Sequence, residues 1–151
     1  MTQKLASRFA EYREFHTTRG NVISHYIGVP LIVISAFGLL SMVTFGNEEF
    51  LQKLVRPDLG WILLAFGVGF YLWLDWKIAL PFSLVMLGMY LIGRSLPIEI
   101  LIAMQVGGWV VQYIGHLKYE KKSPAFYKNL THLMIGPLWV FSKAIRYGEA
   151  A

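Results

Sequence analysis

The order of apolar and polar positions divides this chain into long uncharged runs separated by short polar breaks. Tyr26 to Phe45 carries no charged residue at all. About 20 apolar residues in a helix cross the roughly 30 Å hydrocarbon core of a bilayer, so this run predicts a first spanning helix. Leu59 to Leu74 predicts a second, Ile78 to Ile92 a third, and Pro97 to Leu117, with Glu99 near its start, a fourth. Only Asp75, Trp76 and Lys77 separate the second run from the third. That spacing predicts a tight helical hairpin, with Trp73 and Trp76 in the headgroup layer. Leu130 to Phe141 is too short to span and predicts a re-entrant or interfacial segment. The expected fold is therefore an all-α polytopic membrane helical bundle. It has four transmembrane helices plus a short C-terminal re-entrant or interfacial helix, in one domain covering residues 1–151.

Composition agrees with the pattern. Hydrophobic residues make up 56% and charged residues 15% of the chain, with a mean hydropathy of +0.50. A soluble domain is about 45–50% apolar and about 25% charged. A disordered chain is excluded, and a water-soluble monomer is disfavoured. The absence of cysteine removes disulfides, Cys-ligated zinc, iron–sulfur clusters and thiol nucleophiles from consideration. The stretch from Met1 to Gly20 is polar, so no cleavable signal peptide is expected.

The net charge of +5 matters through its placement. Lys4, Arg8, Arg13 and Arg19 precede the first run; Lys118, Lys121, Lys122 and Lys128 follow the fourth; Lys143 and Arg146 follow the short fifth segment. In the loop after the first run, Lys53 and Arg56 are offset by Glu48, Glu49 and Asp58, and the loop after the third run has only Arg94. The bias of Lys and Arg toward the cytoplasm then puts both termini and the Asp75–Lys77 turn on the cytoplasmic side. A bacterial inner membrane and an endoplasmic reticulum membrane fit equally. The basic residues flank apolar helices, so nucleic-acid binding is not supported. The oligomeric state is not indicated.

Within so apolar a chain the remaining polar groups carry the chemistry. His16, His25, His116 and His132 all fall on the cytoplasmic side in this topology. Asn21 and His25 are four apart and share a helix face if the helix begins before Asn21. His16 and His25 are nine apart, about 180° on one continuous helix. Both can reach one metal only if the chain breaks between them, and Thr17 to Gly20 offers a break. Gln112, His116 and Glu120 follow at four-residue steps, with Gln105 on the same face; such a stripe must point into the bundle. Imidazole suits iron, zinc and copper, and histidines with a carboxylate and open positions describe a non-haem Fe(II) oxygen-activating centre. Asn21, Gln112, Tyr119 and Glu120 are candidates to orient the imidazoles from outside. HExxH, a nucleophile elbow and a phosphate-binding glycine motif are absent.

Two motifs point to a family. The stretch YREFHTTRGNVISHYIGVP, Tyr12 to Pro30, carries His–x4–Asn–x3–His–x2–Gly–x–Pro; WVVQYIGHLKYEKKSPAFYKNL, Trp109 to Leu130, carries Gln–x2–Gly–His–x3–Glu–x3–Pro–Ala. Together they resemble the membrane 2-hydroxy fatty acid dioxygenase family of fatty-acid α-oxidation, over nearly the whole chain. The resemblance implies an Fe(II)- and O2-dependent enzyme that converts a 2-hydroxy fatty acid to the acid one carbon shorter, releasing CO2. It carries the family's histidines to His16, His25 and His116, and its acidic residue to Glu120. The expected site therefore has His16, His25 and His116 on iron, with His132 or Glu120 completing the shell. Asn21 and Gln112 orient ligands or substrate, Lys118, Lys121 or Arg19 draws in the carboxylate, and the acyl chain lies in an apolar channel between helices. Two other readings remain: a non-catalytic lipid-binding or assembly protein without stoichiometric metal, and a metal-dependent lipid hydrolase using zinc and no oxygen.

Overall fold

The computed structural model describes residues 1–45, 57–127 and 129–148, and these are helical apart from short connections. The loop charges Glu48, Glu49, Lys53 and Arg56, and also Lys128, lie outside the described residues. Helix α1 spans Gln3–Arg13, α2 Arg19–Ser41, α3 Leu59–Ser95 and α4 Ile98–Ile114. The last of these runs on as a π-helical turn, Gly115–Glu120, followed by a 3-10 turn, Ala125–Tyr127, and α5, Thr131–Ala144.

The N-terminal stretch is a helix because Thr2 caps it, accepting from Leu5 N at 3.3 Å. Leu5, Phe9 and Tyr12 then recur at helical spacing and form a buried face. Helix α2 begins seven residues before the apolar run, at Arg19, because Thr18 provides its N-cap. It ends at Ser41 rather than at Phe45. The expected break between His16 and His25 is present, and it falls just before Arg19, with Gly20 already inside the helix.

Asp75 leaves helical geometry within α3 (φ −162, ψ 102). The chain turns back there: Tyr71 packs on Phe82 with ring centroids 5.1 Å apart, and Trp61 on Tyr90 at 5.0 Å. The hairpin between the second and third apolar runs thus turns on a single residue. Its halves bury Leu64, Tyr71 and Leu74 on one side, and Ile78, Phe82, Met86 and Tyr90 on the other. Asp75 is itself a junction: its carboxylate accepts from Thr2 N at 2.7 Å, Lys77 N at 3.1 Å and Tyr147 Oη at 3.1 Å. Both described ends of the chain therefore meet the hairpin turn. Trp73 and Trp76 stand exposed beside it, with Lys4 Nζ 4.5 Å above the Trp73 ring.

At the opposite end Asp58 does not act as a free loop charge. It is buried, caps α3 at Trp61 N (2.9 Å) and accepts from Tyr90 Oη (2.7 Å).

Helix α2 packs closely on α4 because small residues face each other. A Cβ on Gly28 would lie 2.9 Å from Gly108 O, and one on Gly108 would lie 3.0 Å from Gly28 O. Helix α5 sits against α1, α2 and α3, burying Ile135, Leu138 and Trp139. The outer faces are different: Leu84 is 72% exposed, Phe66 61% and Val106 59%. Large apolar side chains around the whole girth would be a liability in water and are normal against lipid. Among the described residues three helices are long and apolar enough to cross a membrane, Arg19–Ser41, Leu59–Ser95 and Ile98–Glu120.

Candidate metal centre

Four chain segments converge at the end of the bundle that holds the Asp75 turn. His16 follows α1, His25 lies two turns into α2, His116 is the second residue of the π-helical turn, and His132 stands in the first turn of α5. All four are buried, and all four line one cavity of about 340 Å³.

The orientation of the first two rings is set by main-chain carbonyls. His16 Nδ1 lies 2.6 Å from Tyr12 O, and His25 Nδ1 lies 2.8 Å from Asn21 O. A carbonyl oxygen can only accept, so both Nδ1 atoms carry the proton and both Nε2 atoms present a lone pair. These two Nε2 atoms face each other at 2.9 Å. Two acceptors at that distance repel unless a cation lies beside them. Burial, followed by the neighbouring His25, pushes the His16 pKa down to about 3, so the ring stays neutral. His116 completes the group: one nitrogen from each of His16, His25 and His116 lies within 4.8 Å of the others. Its Nδ1 is buried and has no protein partner. Three neutral imidazoles with converging lone pairs fit a divalent transition metal, with further positions left for other ligands.

Glu120 is close but engaged elsewhere. Its carboxylate accepts from Thr17 N (3.0 and 3.1 Å), Thr17 Oγ1 (2.5 Å), Thr18 N (3.0 Å), Thr18 Oγ1 (2.9 Å) and Asn21 Nδ2 (3.2 Å). It thereby pins the end of α4 to the break between α1 and α2. Asn21 is wholly buried and also donates to Phe15 O at 2.9 Å. The π-helical turn adds a residue to the helical repeat and so directs His116 and Glu120 to these different tasks; such turns recur at functional sites.

His132 lines the cavity without joining the three converging nitrogens. Its ring stands edge-on to Tyr12, centroids 5.9 Å apart, and both its nitrogens are buried without a hydrogen-bond partner. Gln112 is similar: it lines the cavity, and its Nε2 is buried and unpaired. Lys118, Lys121 and Arg19 are exposed at this end of the bundle and do not line the cavity. Tyr119 is exposed, under Lys118 Nζ, and its ring packs against Gly20 at the start of α2.

Sequence reasoning passed over Tyr12, which stacks on His16 with centroids 3.9 Å apart and rings 7° from parallel. Burial pushes its phenol pKa up, so it stays protonated. Its four-residue spacing to His16 was the available signal. Away from the histidines the cavity is apolar, lined by Val29, Ile32, Val33 and Ala36 of α2, Leu63 of α3 and Trp109 of α4.

A family model described as 2-hydroxy-palmitic acid dioxygenase Mpo1-like matches residues 2–147. The 2-hydroxy-palmitic acid dioxygenase MPO1 of Saccharomyces cerevisiae is 27% identical over 143 residues, covering 90% of this chain and 76% of the yeast protein. No solved structure matches the chain.

Proposed function

The chain belongs to the Mpo1-like family of 2-hydroxy-palmitic acid dioxygenases, and from that membership we propose that it oxidatively decarboxylates 2-hydroxy fatty acids. In the proposed reaction a 2-hydroxy acid and O2 give the acid one carbon shorter, CO2 and water. The C1–C2 bond breaks, the substrate is oxidised and O2 is reduced. The observation that carries this reading is the buried group of His16, His25 and His116, with the Nε2 atoms of His16 and His25 facing each other at 2.9 Å. In this reading the three histidines hold iron(II), which would supply the activation of O2.

The surrounding residues divide the remaining work. Tyr12 and Asn21 hold His16 and His25 in the required tautomer through their carbonyls. Glu120 acts as a positioning residue, fixing Thr17, Thr18 and Asn21 and with them the approach of α1 to α2. Gln112 and His132 line the cavity with buried nitrogens that lack a hydrogen-bond partner, His132 Nε2 lying 4.0 Å from Glu11 Oε2, and are suited to the substrate's 2-hydroxyl and carboxylate. Arg19, Lys118 and Lys121 surround this end and attract the acid from an anionic surface. The acyl chain lies in the apolar part of the cavity, between α2, α3 and α4, where bulk water is excluded. The two halves of α3 cross the bilayer separately, which makes four crossings, and the histidine end and both termini face the cytoplasm.

The test is a product analysis. Protein loaded anaerobically with iron(II) and given 2-hydroxypalmitate and O2 should form pentadecanoate and CO2 in equal amounts. Recovery of unchanged 2-hydroxypalmitate from iron-loaded, folded protein would sink the reading. Release of any acid from an esterified lipid without oxygen consumption would favour a hydrolase instead.

A further inference from the structure

The cavity has a direction. Its lining on α2 runs from His25 through Val29, Ile32 and Val33 to Ala36. At 1.5 Å per residue Ala36 lies about 16 Å from the histidine level. Leu63, one turn into α3 from the opposite end of the bundle, lines the cavity from a similar depth. Beyond Ala36 the helices close up. Phe37 is buried edge-on to Tyr90, with centroids 6.0 Å apart. Gly38 is packed so tightly that an added Cβ would lie 2.5 Å from Gly93 O.

We propose that Ala36 and Leu63 form the floor of the acyl cavity and so set the longest chain this protein accepts. The proposal rests on the reading of the cavity as an acyl site. Ala36 ends the α2 lining with a single methyl group, and Leu63 lines the cavity from α3. A chain that ends short of the floor leaves apolar wall unfilled. A chain that reaches past it must displace packed side chains, which close-packed interiors resist. A second apolar pocket of about 240 Å³ lies beside Val29 and Val33, nearer the histidines than Ala36. A chain that turned aside there would be indifferent to both floor residues.

The experiment uses the full chain in detergent and a series of saturated acids from 2-hydroxyoctanoate to 2-hydroxyeicosanoate. Binding is measured by calorimetry on metal-free protein, and turnover on iron-loaded protein. Each buried methylene contributes about fourfold in affinity. Affinity should therefore climb along the series and break where the chain meets the floor. Ala36→Phe should move that break to shorter acids, weakening 2-hydroxypalmitate at least tenfold and leaving 2-hydroxyoctanoate within about twofold. Leu63→Ala should move the break the other way. Ala36→Val, a smaller step in the first direction, serves if the phenylalanine variant does not fold. The same break in the unsubstituted protein and all variants would overturn the floor and leave the proposed function standing. An unsubstituted protein that neither binds nor oxidises any acid of the series would overturn the function, and the floor with it.

Discussion

His16 and His25 each have one ring nitrogen fixed by a carbonyl four residues earlier, and this leaves their other nitrogens aimed at a common point. Replacing His16, His25 or His116 by Ala should remove bound iron, lowering the content measured by mass spectrometry at least tenfold. His132→Ala should keep the metal and impair turnover through substrate binding, because its ring lies outside the converging group. Full iron in any of the first three variants would take that residue off the ligand set. His16 also makes a pH prediction. Its folded pKa of about 3 lies below the usual value of 6.5. Between those values the unfolded chain binds the extra proton. His16 thus contributes stability that is fully present above about pH 6.5 and is lost as the pH falls, at up to about 1.4 kcal/mol per unit. Thermal unfolding in detergent should show the unsubstituted protein losing stability on acidification more steeply than His16→Gln. Parallel curves for the two would contradict a buried neutral His16.

The elements hold these residues through a few contacts that can be altered one at a time. Gly107 and Gly108 are neighbours in α4, and their Ala variants should differ in sign. A Cβ on Gly108 would press on Gly28 O and Ile32, and parting α2 from α4 should cost about 1–3 kcal/mol. A Cβ on Gly107 meets nothing within 4 Å, so Gly107→Ala should be neutral or stabilising by about 0.5–1 kcal/mol. Melting temperatures of the two variants decide the matter; an equal loss in both would mean that the close approach is not what Gly108 provides. Glu120→Ala should cost about 1–3 kcal/mol, because it removes the acceptor of the part-buried donors of Thr17 and Thr18 and one acceptor of the buried Asn21 amide. Glu120→Gln should recover part of that loss. The elements differ in how well the sequence announces them. The apolar runs and the Asp75 turn are legible because lipid-facing helices must be apolar throughout. Helix α1 is hidden by its exposed charges, although the Thr2 cap and the spacing of Leu5, Phe9 and Tyr12 spell it. The π-helical turn has no side-chain signature, so the regular stripe from Gln112 to Glu120 gives no warning that Glu120 serves the α1–α2 break. Likewise the partners of His16 and His25 are main-chain oxygens, which no residue type reveals.

For the molecule as a whole, the junction at Asp75 joins Thr2 and Tyr147 to the hairpin turn, so the two described ends lie at the same end of the bundle as the histidines. The chain has no cysteine, which makes the proposed topology open to single-cysteine labelling. Cysteines at Ser7 and Arg146 should react with an impermeant maleimide only from the cytoplasmic side, and one at Ser95 only from the other. Labelling of all three from one side would exclude four crossings. Such a topology places a buried nitrogen-rich centre at one membrane surface with an apolar cavity beneath it, which suits a substrate with a polar head and a long acyl chain. The most direct test of the centre is oxygen consumption by protein carrying one iron(II) per chain, measured as 2-hydroxypalmitate is added without air leakage. One O2 should disappear for each acid consumed, and the same protein with His116→Ala should consume none. Acid consumed without oxygen, or oxygen uptake unchanged in His116→Ala, would contradict an iron centre built on these three histidines.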